Sequence, residues 1–179
     1  MRTLLLATLL GLSTLACAQT HDTGAVQPGI YELEVERDSD ACSPSRAVGA
    51  MGAVAVLVDS DAVDAPVPEM DGPMLSAPRV RLDPNTLHAE TNRRITDCGA
   101  AFVHEEWTVV RSGEGAFDLL HLQEWQGLAG CDEAPELMPG APEADCTSER
   151  TLRYTLESAC AAPCSLRLVG AEQLACVCD

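Results

Sequence analysis

Lysine is absent from this 179-residue sequence, whose cationic side chains are eleven arginines set against 28 aspartates and glutamates. A formal charge of -17 repels phosphate backbones and anionic headgroups and leaves no basic surface to release counterions, which excludes nucleic-acid partners. Aromatics are scarce as well: Tyr31, Phe102, Trp107, Phe117, Trp125 and Tyr154 are the whole set. Stacking platforms for sugars or bases need several exposed rings, so these few are expected to pack in a core and across strand pairs. After residue 12 no apolar run approaches the roughly 20 residues of a membrane-spanning helix. An all-arginine cation set with abundant alanine looks like the codon usage of a GC-rich genome and carries no mechanism.

What is present begins with an export signal. Arg2 is a minimal positive region, Leu4 to Leu12 is apolar, and Ser13, Thr14 and Ala16 are small, the pattern of a signal peptide over residues 1–16. The stretch Ser13-Thr14-Leu15-Ala16-Cys17 resembles the lipobox of bacterial lipoproteins, with Thr14 where that family most often has Leu. The resemblance implies a diacylated Cys17 as the new N-terminus and attachment to the cell envelope through lipid alone. Ala16-Cys17-Ala18 also fits an ordinary signal-peptidase site that would release a soluble chain from Gln19. Residues 17–28 are small and polar and read as a tether, leaving one domain over residues 29–179.

Nine cysteines minus Cys17 leave Cys42, Cys98, Cys131, Cys146, Cys160, Cys164, Cys176 and Cys178. An even set in an exported chain reads as up to four disulfides. Residues i and i+2 on a strand are nearly 7 Å apart, at the limit of bridging, so Cys176 and Cys178 need different partners. A final hairpin turning at 170–172 sets Cys164 opposite Cys178 and leaves Cys160 for Cys176. Cys131 and Cys146 would close an acidic loop, and Cys42 would reach Cys98. The Cys160-x3-Cys164 and Cys176-x-Cys178 spacing is also compatible with zinc, which an oxidising compartment disfavours.

Period-two patterning predicts a mostly β domain, an antiparallel barrel or sandwich of eight or nine short strands. Tyr31, Leu33 and Val35 alternate with three glutamates. Further strands are expected over residues 51–58, 78–82, 87–96, 102–111, 116–125, 151–157, 165–169 and 174–177. Ser112 to Gly115 reads as a four-residue hairpin loop. The acidic, proline-bearing stretches 59–73 and 132–145 read as solvated loops. An EF-hand counted from Asp59 fails because Val63 and Met70 stand at ligand positions five and twelve. Gly29-Ile30-Tyr31 resembles the opening of lipocalin barrels, with Tyr31 in place of that family's Trp and its other signature elements missing.

Chemistry-bearing motifs are few. His104-Glu105-Glu106-Trp107-Thr108 starts like the zinc-protease helix motif, but Thr108 stands where the second His belongs. Gly113 to Asp118 starts like a dinucleotide loop without its third glycine or its helix. With Arg111 paired to Ala116, Glu106 would face His121 and His104 would face Gln123. That places His104, Glu106 and His121 on one face as a candidate divalent-metal site. A one-residue slip would instead send His121 to the other face, beside Glu105. The sequence thus points to a non-enzymatic envelope or secreted β domain that binds a partner of unspecified kind or shields a surface. A barrel for a small apolar ligand, a protease inhibitor presenting loop 131–146, and a metal protein or enzyme are the alternatives.

Overall fold

The computed structural model describes residues 26–43, 48–59, 61–68, 78–138, 140–160, 164–169 and 173–178. Among them the chain forms ten strands and one short helix: β1 (Gly29–Asp40), β2 (Gly49–Val58), β3 (Val63–Pro66), β4 (Arg79–Leu82), β5 (His88–Arg94), β6 (Phe102–Gly113), β7 (Ala116–Gln126), α1 (Ala134–Leu137), β8 (Cys146–Ala159), β9 (Cys164–Val169) and β10 (Gln173–Cys178). The fold is mostly antiparallel β, as the alternation implied. Eight strands form one sheet in the order β4-β3-β2-β1-β8-β7-β6-β5, and β9 and β10 form a separate hairpin.

In that order every neighbour is consecutive in the chain except β1 and β8, which pair antiparallel from Gly29↔Ala159 to Asp40↔Ser148. The two edges, β4 and β5, meet at the turn that joins them, where Asp83 N–H donates to the His88 carbonyl at 3.0 Å. The result is a nearly closed up-and-down barrel with one seam, between β4 and β5. Gly29 sits on β1 directly against the β8 backbone. A Cβ there would come within 2.5 Å of the Ser158 carbonyl oxygen, so only glycine fits.

Alternation decides what fills the barrel, because successive side chains on a strand point to opposite faces. Tyr31, Leu33 and Val35 of β1, Val54 and Val56 of β2, and Leu152 and Tyr154 of β8 are buried in one cluster with Phe117 and Leu119 of β7. Tyr154 stacks on Phe117 with centroids 4.4 Å apart, and Tyr31 meets Phe117 edge-on. The Tyr154 hydroxyl donates to the Pro66 carbonyl at 2.6 Å, and burial pushes its phenol well above the ordinary range. Each fully buried leucine here contributes about 1.5–3 kcal/mol. A second apolar cluster closes one end of the barrel, with Ile95, Val103, Trp125, Leu128, Ala134 and the half-cystines Cys42 and Cys98.

Several expectations are corrected. The disulfides are Cys42–Cys146, Cys98–Cys131 and Cys160–Cys176, so Cys42 does not reach Cys98 and Cys131 does not bond Cys146. The reason is strand pairing. β1 against β8 carries Ala41 to Thr147 and so brings Cys42 to Cys146. The Phe102↔Gln126 pair sets the turn before β6, with Cys98, beside the loop after β7, with Cys131. Cys160–Cys176 is as expected, and Cys164 and Cys178 face each other in backbone register, although their side chains lie outside those described.

Stretch 59–73 is not only a solvated loop: Val63, Ala65, Pro66, Val67 and Pro68 are buried, and residues 63–66 form β3. Within 132–145, Ala134 opens α1 and is buried together with Ala141 and Pro142. Residues 26–28, expected to be tether, are held by the barrel. Val26 joins the main core, the Gln27 carbonyl accepts from the Tyr31 hydroxyl, and the Pro28 carbonyl accepts from Cys160 N–H. Residues 1–25, including the proposed signal and Cys17, lie outside the described residues.

Candidate functional site

Between the two apolar clusters the inward positions turn polar. β7 presents Phe117 and Leu119, then His121 and Gln123, then Trp125. β8 presents Tyr154 and Leu152, then Arg150 and Ser148. β6 supplies Trp107 and Glu105 at the same level, since Trp107 pairs with His121, Glu105 with Gln123 and His121 with Arg150. Glu105, His121, Gln123, Ser148 and Arg150 are all buried. Such groups are tolerated only when their hydrogen-bonding needs are met.

The Glu105 carboxylate accepts from Gln123 Nε2 at 2.8 Å and from Arg93 Nη2 of β5 at 2.8 Å. His121 Nε2 stands 3.5 Å from its Oε1. On the other side of the imidazole, Arg150 Nη2 lies 2.9 Å from Nδ1. A guanidinium has no acceptor, so Nδ1 must accept and the proton sits on Nε2, toward Glu105. Arg150 Nη1 donates to the Pro68 carbonyl at 3.1 Å, and Trp107 stacks on the imidazole at 5.0 Å between centroids. Burial alone would raise the Glu105 carboxyl, but the His121 hydrogen bond and the Arg93 charge outweigh it and hold the group at about 2. It is ionised at any neutral pH.

This layer opens at the seam. β4 and β5 diverge beyond their turn and leave a cavity of about 320 Å³, with Arg79, Val80 and Arg81 on one lip and Ala89, Glu90 and Thr91 on the other. Val67 and Pro78 complete the wall, and Trp107, Glu105 and His121 line the interior. Trp107 is only 7% exposed, yet its Nε1–H has no acceptor among the described residues. A buried donor left unpaired costs about 1–3 kcal/mol, and the cavity is where a ligand's acceptor can stand.

The predicted metal residues separate. β6 and β7 turn through a two-residue loop, Glu114-Gly115, with Gly113 opposite Ala116 and Gly115 at φ 76°. A bulge at Val110 then takes back one residue. The net slip of one sends His121 inward, while His104 and Glu106 stay on the outer face. There His104 Nδ1 bonds Asn92 Oδ1 at 3.0 Å and Glu106 lies near His88 and Thr108. Among the described residues no three His, Cys, Asp or Glu are placed to hold a metal ion.

No protein-family model, no curated protein and no solved structure matches this chain.

The residues that sequence reasoning missed are Arg93, Trp107, Gln123 and Arg150. Their signal was available only through the register, because polar and apolar residues are mixed on both faces of these strands, as on β7 with Leu120 and Leu122 outside and His121 and Gln123 inside. Both His121 nitrogens face protein partners and Glu105 is held as a carboxylate by three donors, so neither is set up to take a proton from a substrate.

Proposed function

We propose that this chain is an exported binding barrel, held in the bacterial envelope by a lipid on Cys17, that takes a small molecule through the seam between β4 and β5. The observation that carries the reading is the seam cavity, which runs from solvent to a preorganised buried polar layer holding one unsatisfied indole donor. Apolar walls with fixed buried polar groups at the inner end are what small-molecule sites are made of. Eight-stranded barrels have an interior of the size to hold one such ligand. Three disulfides fit an oxidising, extracytoplasmic compartment. The ring 131–146 on which the inhibitor alternative rests is not closed, because Cys131 bonds Cys98 and Cys146 bonds Cys42.

Trp107 and Trp125 are the only tryptophans, and Trp125 belongs to the second cluster, so Trp107 reports on the cavity. A thermal-shift screen of small metabolites, followed by fluorescence titration, is expected to give a saturable signal that disappears in Trp107→Phe. A broad screen with no saturable ligand overturns the binding reading. Intact mass of the mature protein tests the anchor: a diacylated Cys17 supports it, and a chain starting at unmodified Gln19 refutes it.

A further inference from the structure

We infer that the seam cavity selects a small planar carboxylate, a flat apolar body with an acid group at one end and a hydrogen-bond acceptor at the other. This rests on the binding reading above and names its ligand class. Four of the chain's eleven arginines gather here: Arg79 and Arg81 on one lip, Arg93 reaching Glu105 from β5, and Arg150 against His121. Four carboxylates stand among them, Asp61, Asp64, Glu90 and Glu105, so in a protein of charge -17 this mouth is close to neutral and repels an anion less than the rest of the surface.

The lip arginines play different parts. Arg79 is fixed, with Nε on Asp64 Oδ1 at 2.9 Å and Nη2 on the Asp64 and Ala55 carbonyls at 2.7 and 2.9 Å. Its charge therefore stays at the mouth. Arg81 has one contact, Nη2 to Asp61 Oδ2 at 2.7 Å, with the two side chains 60% and 72% exposed. An ion pair that open is worth little and is readily exchanged for an incoming carboxylate. Val67, Val80 and Ala89 give apolar contact, and the Trp107 indole N–H has no acceptor among the described residues. The Glu105 carboxylate does not repel the ligand's far end as a free charge would, since Arg93, Gln123 and His121 surround it.

The test uses isothermal titration calorimetry on the disulfide-intact protein with three probes of one shape: 6-hydroxy-2-naphthoate, its neutral carboxamide and the corresponding methylammonium compound. The carboxylate should bind about tenfold or more tightly than the amide, an advantage that shrinks as salt is raised. Arg81→Gln lies on the surface and leaves folding intact. It should bring carboxylate and amide within about threefold of each other. Trp107→Phe keeps the ring but loses the donor, and should weaken carboxylate and amide alike by about three- to tenfold; circular dichroism confirms that this variant is folded. Equal or tighter binding of the amide or the ammonium overturns the ligand class while leaving the binding reading intact. An Arg81→Gln variant with the full carboxylate preference also overturns it. No saturable heat with any of the three overturns both.

Discussion

Two layers of the same barrel, built from the same strands, hold together in different ways. Around Phe117, Leu119, Leu152 and Tyr154 the interior is apolar and aromatic, and its cohesion is area removed from water. One turn of the alternation further along β7 and β8, His121, Gln123, Ser148 and Arg150 point to the same interior and cohere by charge and hydrogen bonds. The period of a strand decides which face a side chain occupies, not the chemistry that face will have. Among the described residues the apolar layer is closed, whereas the polar layer lies beside the seam between β4 and β5.

The sharpest way to break this comparison is to delete one side chain from each layer and vary the pH. Phe117→Ala should cost about 3–5 kcal/mol and show the same loss at every pH in urea unfolding. Glu105→Gln should cost about 3 kcal/mol at pH 7. The folded-state carboxyl is depressed from 4.5 to about 2, so its contribution is complete above 4.5 and is lost as pH falls through 2. The penalty of Glu105→Gln should therefore fade across that window while the Phe117→Ala penalty does not. Equal pH dependence in the two variants would refute the division into layers.

Mild reduction separates the layers next. Cys42–Cys146 and Cys98–Cys131 border the second apolar cluster, at the polar end, and each is expected to contribute about 2–4 kcal/mol. Replacing Cys98 and Cys131 by serine should speed amide exchange at residues 95–103 and 125–146 before it touches β7 near Phe117. Uniform acceleration would show a single cooperative unit instead. The smallest expected effect is at the hairpin tip. Gly115→Ala should cost about 1 kcal/mol, because φ there is 76°, and should leave the Glu105 pH profile unchanged.

Most of the strands were legible in the sequence because one face of each is apolar, as in Tyr31-x-Leu33-x-Val35. β3 was hidden by its composition: Asp64 and Pro66 read as loop residues, although Asp64 pairs with Arg79 and Pro66 accepts from Tyr154. The site was hidden by register. His121-Leu122-Gln123-Glu124 carries its leucine on the outer face and its glutamine on the inner one, so hydrophobic alternation gives the wrong side. The loop length and the Val110 bulge then settle by one residue whether His121 joins His104 and Glu106 or Glu105. The expected Cys42–Cys98 and Cys131–Cys146 pairings failed for a related reason, since the true ones depend on β1 lying beside β8, a contact with no local signature, whereas Cys160–Cys176 followed from the last hairpin.

That pairing of the first and last barrel strands also sets the order of events during folding. On the export route proposed above, a thiol at Cys42 would enter an oxidising compartment ahead of the rest of the chain and meet Cys98 and Cys131 long before Cys146, its native partner 104 residues away. The barrel cannot close, and Cys42 cannot be protected, until residues 146–159 have emerged and β8 has docked on β1. Maturation is then expected to be slow, governed by non-local contact and thiol exchange, and to depend on a disulfide isomerase that undoes bonds formed in order of synthesis.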